Sequence, residues 1–166
     1  MKSLKIATVI TGLFFMQQFV AQGQAISTQY SNEEIAQMLK AYKTSYSQDV
    51  VPPVALQQKL QTDFPHARDI EWETDGHVYE AEFEVKFRDY EAYYDDKSNL
   101  LMVVREIYAS ELPLVVRNAA ESKYPKYHFE DMDKIQRGSE VFYKIEMERG
   151  EIEIKLLVKS DGTIIV

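Results

Sequence analysis

Five residues recur at one fixed offset: Pro53, Leu56, Leu60, Phe64 and Pro65 return sixty positions later as Pro113, Val116, Ala120, Tyr124 and Pro125. Such a repeat constrains the fold more than any single motif, because it asks one chain to build the same small unit twice. Proline opens each copy, as suits the first turn of a helix, where an amide would lack a helical partner anyway. The apolar residues that follow are spaced to line one side of that helix, and the closing proline disfavours helix at the residue before it.

After each helix the apolar period changes from four to two. In the first copy Ile70 and Trp72 alternate with acids and Asp75-Gly76 marks a turn. Tyr79, Ala81, Phe83, Val85 and Phe87 then line one side of a long strand. Arg88-Asp89 turns the chain into Tyr90, Ala92 and Tyr94, and Lys97-Ser98-Asn99 turns it again into LLMVVREIY. In the second copy Tyr143, Ile145 and Met147 stand where the first has Tyr79, Ala81 and Phe83. Arg137-Gly138, Arg149-Gly150 and Asp161-Gly162 are its turns, with Ile152, Ile154, Leu156 and Val158 alternating between the last two. The fold expected is α+β: two tandem repeats of one helix packed on a four-stranded antiparallel meander, plus an extra N-terminal helix. Each helix covers one apolar face, and joined strand edges leave the opposite face free.

Ahead of the repeats, Ser31-Asn32-Glu33-Glu34 has the sequence pattern of a capping box, and Ile35, Met38, Leu39, Tyr42 and Tyr46 follow at helical spacing. The extra helix is expected from about Asn32 to Tyr46. Residues 1–25 place Lys2 and Lys5 before an apolar run from Ile6 to Met16 and end in Gly23-Gln24-Ala25, the layout of a cleaved signal peptide. The run is shorter than the ~20 residues of a spanning helix. The organisation expected is therefore signal peptide 1–25, N-terminal helix and linker 26–50, first repeat 51–109 and second repeat 110–166. The expected destination is a Gram-negative periplasm, with no stable membrane anchor once the signal is removed.

The chain has no cysteine, so packing and not disulfides must hold it. Its formal charge is −8, and the signal carries two of the 19 basic side chains and none of the 27 acids, so the exported part is more acidic still. Phosphate backbones and anionic lipids would be repelled, which argues against nucleic acid as a partner. A cationic partner or plain solubility is what the charge can serve.

A proline-opened helix closed by Phe-Pro or Tyr-Pro, then Ile-Glu-Trp-Glu, Tyr-Glu-Ala-Glu-Phe, a polar turn and paired aliphatics resembles the PepSY-like family of exported bacterial proteins. That family is related in architecture to the beta-lactamase inhibitor protein, itself a tandem repeat. The resemblance covers roughly residues 51–166, and the second copy has no counterpart of Trp72. It implies a periplasmic binding or inhibitory module without catalysis. The inhibitor's contact residues have no match here, so none is carried over.

On the outward strand positions, Glu80, Glu82, Glu84 and Lys86 oppose Tyr79 and Phe83, and Glu146, Glu148, Glu151, Glu153 and Lys155 do the same in the second copy. A solvated sheet face is polar in this way. Tyr93, Phe142 and Leu157 share the face, and aromatic groups ringed by polar ones suit a protein interface. The candidate partner-binding residues are Glu80, Glu82, Tyr93, Phe142, Glu146 and Glu153, the partner being a protein or peptide. The alternative is an envelope sensor of a metal ion or small ligand.

Catalytic, cofactor and metal sites are not expected. Neighbouring acids on an open sheet lack the enclosed pocket of a glycosidase. His66, His77 and His128 have no zinc spacing, and Asp95-Asp96-Lys97-Ser98-Asn99 lacks the glycine and distal Glu of an EF-hand loop and is expected as a hairpin turn. Trp72 shares strand parity with Ile70 and is expected in the core.

Overall fold

The computed structural model describes residues 48–74 and 78–165. The signal peptide, the helix expected near Asn32 to Tyr46 and the turn at Asp75-Gly76 lie outside the described residues. Eight antiparallel strands form one sheet in sequential order. They are β1 (Gln48–Asp49), β2 (Arg68–Thr74), β3 (Val78–Glu84), β4 (Asp89–Asp95), β5 (Leu100–Glu106), β6 (His128–Arg137), β7 (Glu140–Arg149) and β8 (Ile152–Lys159). Helix α1 (Val54–Asp63) lies between β1 and β2, and α2 (Leu114–Lys123) between β5 and β6 after a 3-10 turn at Ala109–Glu111.

This architecture corrects the expected one of two helix-on-four-strand repeats with an extra N-terminal helix. Strand β5 pairs directly with β6, through Val104 opposite Ile135 and Arg105 opposite Lys134, so the two stretches of meander merge into one sheet. The second stretch has three strands, not four. After the turn at Gly162 the chain contributes only a bridge from Ile164 to Val158. The first stretch is preceded by the unexpected β1, whose two residues pair with Thr74 and Glu73. Both outer edges are thus short or partly covered, which limits edge-to-edge association.

The two helices are built alike. Pro53 and Pro113 are N-caps, one residue outside the first helical position. Leu56 and Leu60 are buried in α1, and Val116 and Ala120 in α2. The amides of Phe64 and Tyr124 close the helices by donating to the carbonyls of Leu60 and Ala120. Helix α1 packs on Ala81, Phe83, Ala92 and Tyr94, and α2 packs on Met132, Tyr143, Ile145, Met147, Leu156 and Val158. Trp72 lies on this same face with its ring 6.1 Å from Tyr94, but it is half-buried at the margin of the first cluster. Met132, opposite Ile145 as Trp72 is opposite Ala81, holds the corresponding place in the second stretch.

The long strand expected through Phe87 ends at Glu84. Lys86 and Phe87 form a two-residue hairpin turn with φ of 54° and 62°, leaving Phe87 exposed. Tight hairpins need positive φ at both central positions, usually from Asn or Gly. Here they are imposed on a lysine and a phenylalanine. The turn at residues 95–99 is a hairpin as expected, with Asp95 accepting from the amides of Lys97 and Asn99.

Candidate functional site

Alternation along the strands sends a second set of side chains to the face away from the helices. Six form a buried cluster: Tyr93, Met102, Val104, Ile135, Phe142 and Leu157. The position of this cluster follows from the β5–β6 join, which brings Val104 and Ile135 side by side. Phe142 is opposite Ile135. Tyr93 and Phe142, expected as anchors on this face, do lie together there, but only 4% and 1% exposed.

On the β3–β4 side of the cluster the hairpin register places Glu82 opposite Glu91 and Glu80 opposite Tyr93. One carboxylate oxygen from each of Glu80, Glu82 and Glu91 lies within 4.8 Å of the others. The Tyr93 hydroxyl is 2.8 Å from Glu80 Oε1 and 2.5 Å from Glu91 Oε2. A hydroxyl has one hydrogen to give. Donating it to Glu91 leaves the second contact satisfied when Glu80 holds a proton and donates to the tyrosine oxygen. Burial first, and then the negative charges of Glu91, Glu82 and Glu73, push the Glu80 carboxyl up to about 7. Burial likewise raises the Tyr93 hydroxyl above its ordinary range, so it stays protonated.

On the β7–β8 side the same geometry holds different charges. Lys144 Nζ lies 3.0 Å from Asp133 Oδ2 and 2.9 Å from Glu146 Oε1. Lys155 Nζ lies 3.0 Å from Glu146 Oε1 and 2.9 Å from Glu153 Oε1. Burial alone would raise the Glu146 carboxyl, but hydrogen bonds and charge from Lys144 and Lys155 outweigh it and hold the group down at about 2. Burial alone would lower Lys144, and its two acidic partners raise it instead.

The six expected site residues therefore divide. Glu80, Glu82 and Tyr93 meet in one cluster, Glu146 and Glu153 are linked through Lys155, and Phe142 lies in the apolar ground between. Glu82 and Glu153 are exposed, while Glu80 and Glu146 are half-buried. Glu91 and Lys144 escaped the sequence reading. The signal for Glu91 was hairpin register: a turn centred on Lys86-Phe87 fixes Glu82 opposite Glu91, but a turn without Gly or Asn is hard to see. Three carboxylates so close can offer oxygens to a hard cation, although calcium takes six to eight. His66 and His128 are exposed and belong to neither charge group.

Similarity to known proteins extends over the whole described fold. A BLIP-like protein from Bacteroides fragilis is 26% identical, aligning over 75% of this chain and 89% of its own with a TM-score of 0.61. A protein from Bacteroides eggerthii described as a putative periplasmic protein is 18% identical, over 70% and 88% of the two chains, with a TM-score of 0.66. A DUF2874 family protein from Bacteroides uniformis is 21% identical, over 70% and 88%, with a TM-score of 0.65. No curated protein matches the chain. The family described as putative beta-lactamase-inhibitor-like, PepSY-like matches twice, over residues 20–102 and 102–166. With nearly its whole length accounted for by these two segments, the chain belongs to the PepSY-like family.

Proposed function

We propose that the protein is a non-catalytic binding module of the periplasm that meets a protein or peptide partner on the sheet face opposite the helices. The observation that carries this reading is the make-up of that face, an apolar cluster bordered on both sides by charged groups. Interfaces are built in this way, with an apolar centre and a polar rim. Glu82 and Glu153 stand in solvent and make the first contacts, which favours a partner carrying Lys or Arg. Tyr93 and Phe142 form the ground beneath that rim. The likeness to a BLIP-like protein supports recognition or inhibition over turnover.

Glu80 and Glu91 are tied to one tyrosine hydroxyl, and among the described residues they do not flank a cleft as the two acids of a glycoside hydrolase must. The sensor alternative is weaker for another reason. A cation bound by Glu80, Glu82 and Glu91 would have to displace the proton that Glu80 holds near neutral pH.

The test is photo-crosslinking in living cells from the position of Glu82, compared with the position of Asn118 on the exposed side of α2. A specific partner captured from the first position and lost on Glu82→Lys with Glu153→Lys is expected. Capture equal from both positions, or unaffected by charge reversal, would refute the proposed face. Export is tested separately by N-terminal sequencing, which should begin at Ile26.

A further inference from the structure

Strand β8 pairs with β7 along its whole length without a register shift. Its outer edge is met only near the far end, where the Lys159 amide donates to the Thr163 carbonyl and the Leu157 carbonyl accepts from the Ile165 amide. The backbone groups of Leu157 and Lys159 thus point away from β7. By the two-residue period of a strand, the amides and carbonyls of Glu153 and Lys155 point the same way. Among the described residues nothing pairs with them. The opposite edge of the sheet differs. There β1 pairs with Glu73 and Thr74, and the rest of β2 is interrupted between Arg68 and Glu71, with Asp69 at a φ of 52°. An interrupted edge is a poor template for a further strand, whereas the open stretch of β8 is a regular one.

We infer that residues 152–156 pair with the same residues of a second copy, antiparallel, across a twofold axis at Ile154. Charge selects this register. Centred on Ile154, each Glu153 falls opposite the other copy's Lys155, so the edge is complementary to itself. Moving the axis by one residue sets Glu153 opposite Glu153 or Lys155 opposite Lys155. The second of these would also drive the other copy's Glu153 into the place that Ile165 holds beside Leu157.

The backbone agrees with the charges. Both facing pairs join outward-pointing residues and are of the hydrogen-bonded kind, each exchanging two backbone bonds. On the helix side Ile154 meets its own copy and Ile152, 50% exposed, meets the other copy's Leu156, which extends the core that α2 covers. A self-complementary patch of this kind closes as a dimer and does not propagate as a filament. The axis runs perpendicular to the sheet, so all the helices lie on one side and both candidate faces on the other. The dimer then offers a partner two copies of that face. The pairing itself uses only the edge, and its failure would leave the reading of the face untouched.

The test is sedimentation equilibrium of the purified protein together with single-cysteine crosslinking, which is clean because the chain has no cysteine. A reversible dimer is expected, weakened about tenfold by Glu153→Lys, which sets lysine opposite lysine twice. Ile154→Cys should join the two chains by a disulfide on mild oxidation, since residues facing each other at a site without backbone bonds have Cα atoms about 4.5 Å apart. Ile152→Cys should not, because its two copies lie four residues apart along the edge, about 13 Å. A monomer at every concentration up to about 1 mM would overturn the inference. So would a dimer that Glu153→Lys leaves as tight as before, or crosslinking equal from the two cysteine positions.

Discussion

The two charged borders of the sheet face share one pattern of strand pairing and differ in the sign of charge at two positions. Glu80 faces Glu73 on one neighbouring strand and Tyr93 on the other, just as Lys144 faces Asp133 and Leu157. Glu82 faces Glu91 where Glu146 faces Lys155. Lysine in place of glutamate at these two positions turns a mutually repelling acid cluster into a balanced run of ion pairs. The outcome is visible in proton affinity, since Glu80 is pushed up to about 7 and Glu146 is held at about 2. Strand pairing specifies which side chains meet, and only their identities decide whether the meeting stabilises the fold or strains it.

The largest effect should come from the apolar ground between the borders. Phe142→Ala removes a ring that is 1% exposed and should cost about 3–5 kcal/mol. Val78, which precedes Tyr79 as Phe142 precedes Tyr143, is only partly buried, and Val78→Ala should cost about 1 kcal/mol. Urea denaturation of both variants checks the contrast, and equal small losses would mean that the face is open.

Next comes the ion-pair border. Lys144→Ala leaves Asp133 and Glu146, 16% and 15% exposed at their side chains, without their shared cation. Breaking such a partly buried network should cost about 2–3 kcal/mol, less than a fully buried pair because water still reaches the acids. Lys144→Met, which fills the same space, should lose nearly as much, since the stranded charges and not the missing volume cause the loss. A Met variant as stable as the parent would show that the stem, not the ammonium, matters.

How far these arrangements could be read from the chain depends on which physical signal they leave. The helix faces were legible because Leu56 and Leu60, and Val116 and Ala120, are four apart with polar Gln58 and Asn118 midway, a pattern that suits a helix and would break the apolar face of a strand. Face assignment on the strands was legible from alternation, which placed Glu80 and Glu82 opposite Tyr79 and Phe83. Strand count was not, because Thr163, Ile164 and Ile165 are all β-branched, as strand residues often are, yet form a single bridge. Register in the β3–β4 hairpin was hidden by a turn without Gly or Asn, and with it the meeting of Glu82 and Glu91. Burial was the least legible property. Trp72 has the parity and composition of a core residue but is half-buried at the end of α1's reach, while Tyr93 and Phe142 on the supposedly wet face are covered. Alternation reports which side a residue takes, not what lies over that side.

Proton linkage gives the comparison a sharper form, because the two borders respond to pH with opposite sign. The folded protein holds Glu80's proton up to about 7, whereas the unfolded chain releases it near the ordinary 4.5. Stability therefore falls as pH rises from about 4.5 to 7 on account of this group. Glu146 does the reverse: its contribution is full above 4.5 and is lost as pH falls toward about 2. Glu80→Gln keeps a donor, its side-chain amide, for the Tyr93 oxygen and removes the buried charge. Discounted for partial exposure, it should stabilise the fold by about 1–2 kcal/mol at pH 8 and by almost nothing at pH 4.5. Urea midpoints measured at both pH values decide this, and a gain that does not shrink toward acid would place the cause outside Glu80's titration.

The smallest expected effect belongs to Lys155, and its smallness is informative. Its side chain is 60% exposed and bridges Glu146 to Glu153, itself 54% exposed. Exposed pairs of this kind contribute about 1 kcal/mol or less, because water screens the attraction and ordering two long side chains costs entropy. Lys155→Ala should therefore cost well under Lys144→Ala, and 0.5 M salt, with a screening length of about 4 Å, should remove most of what it does cost. Lys144 lies between two acids on a covered strand and should keep most of its effect in the same salt. If the two lysines lost stability equally and with equal salt dependence, the inner half of the ion-pair border would be as wet as the outer half. Nothing would then separate it, in dielectric environment, from an ordinary solvated sheet face.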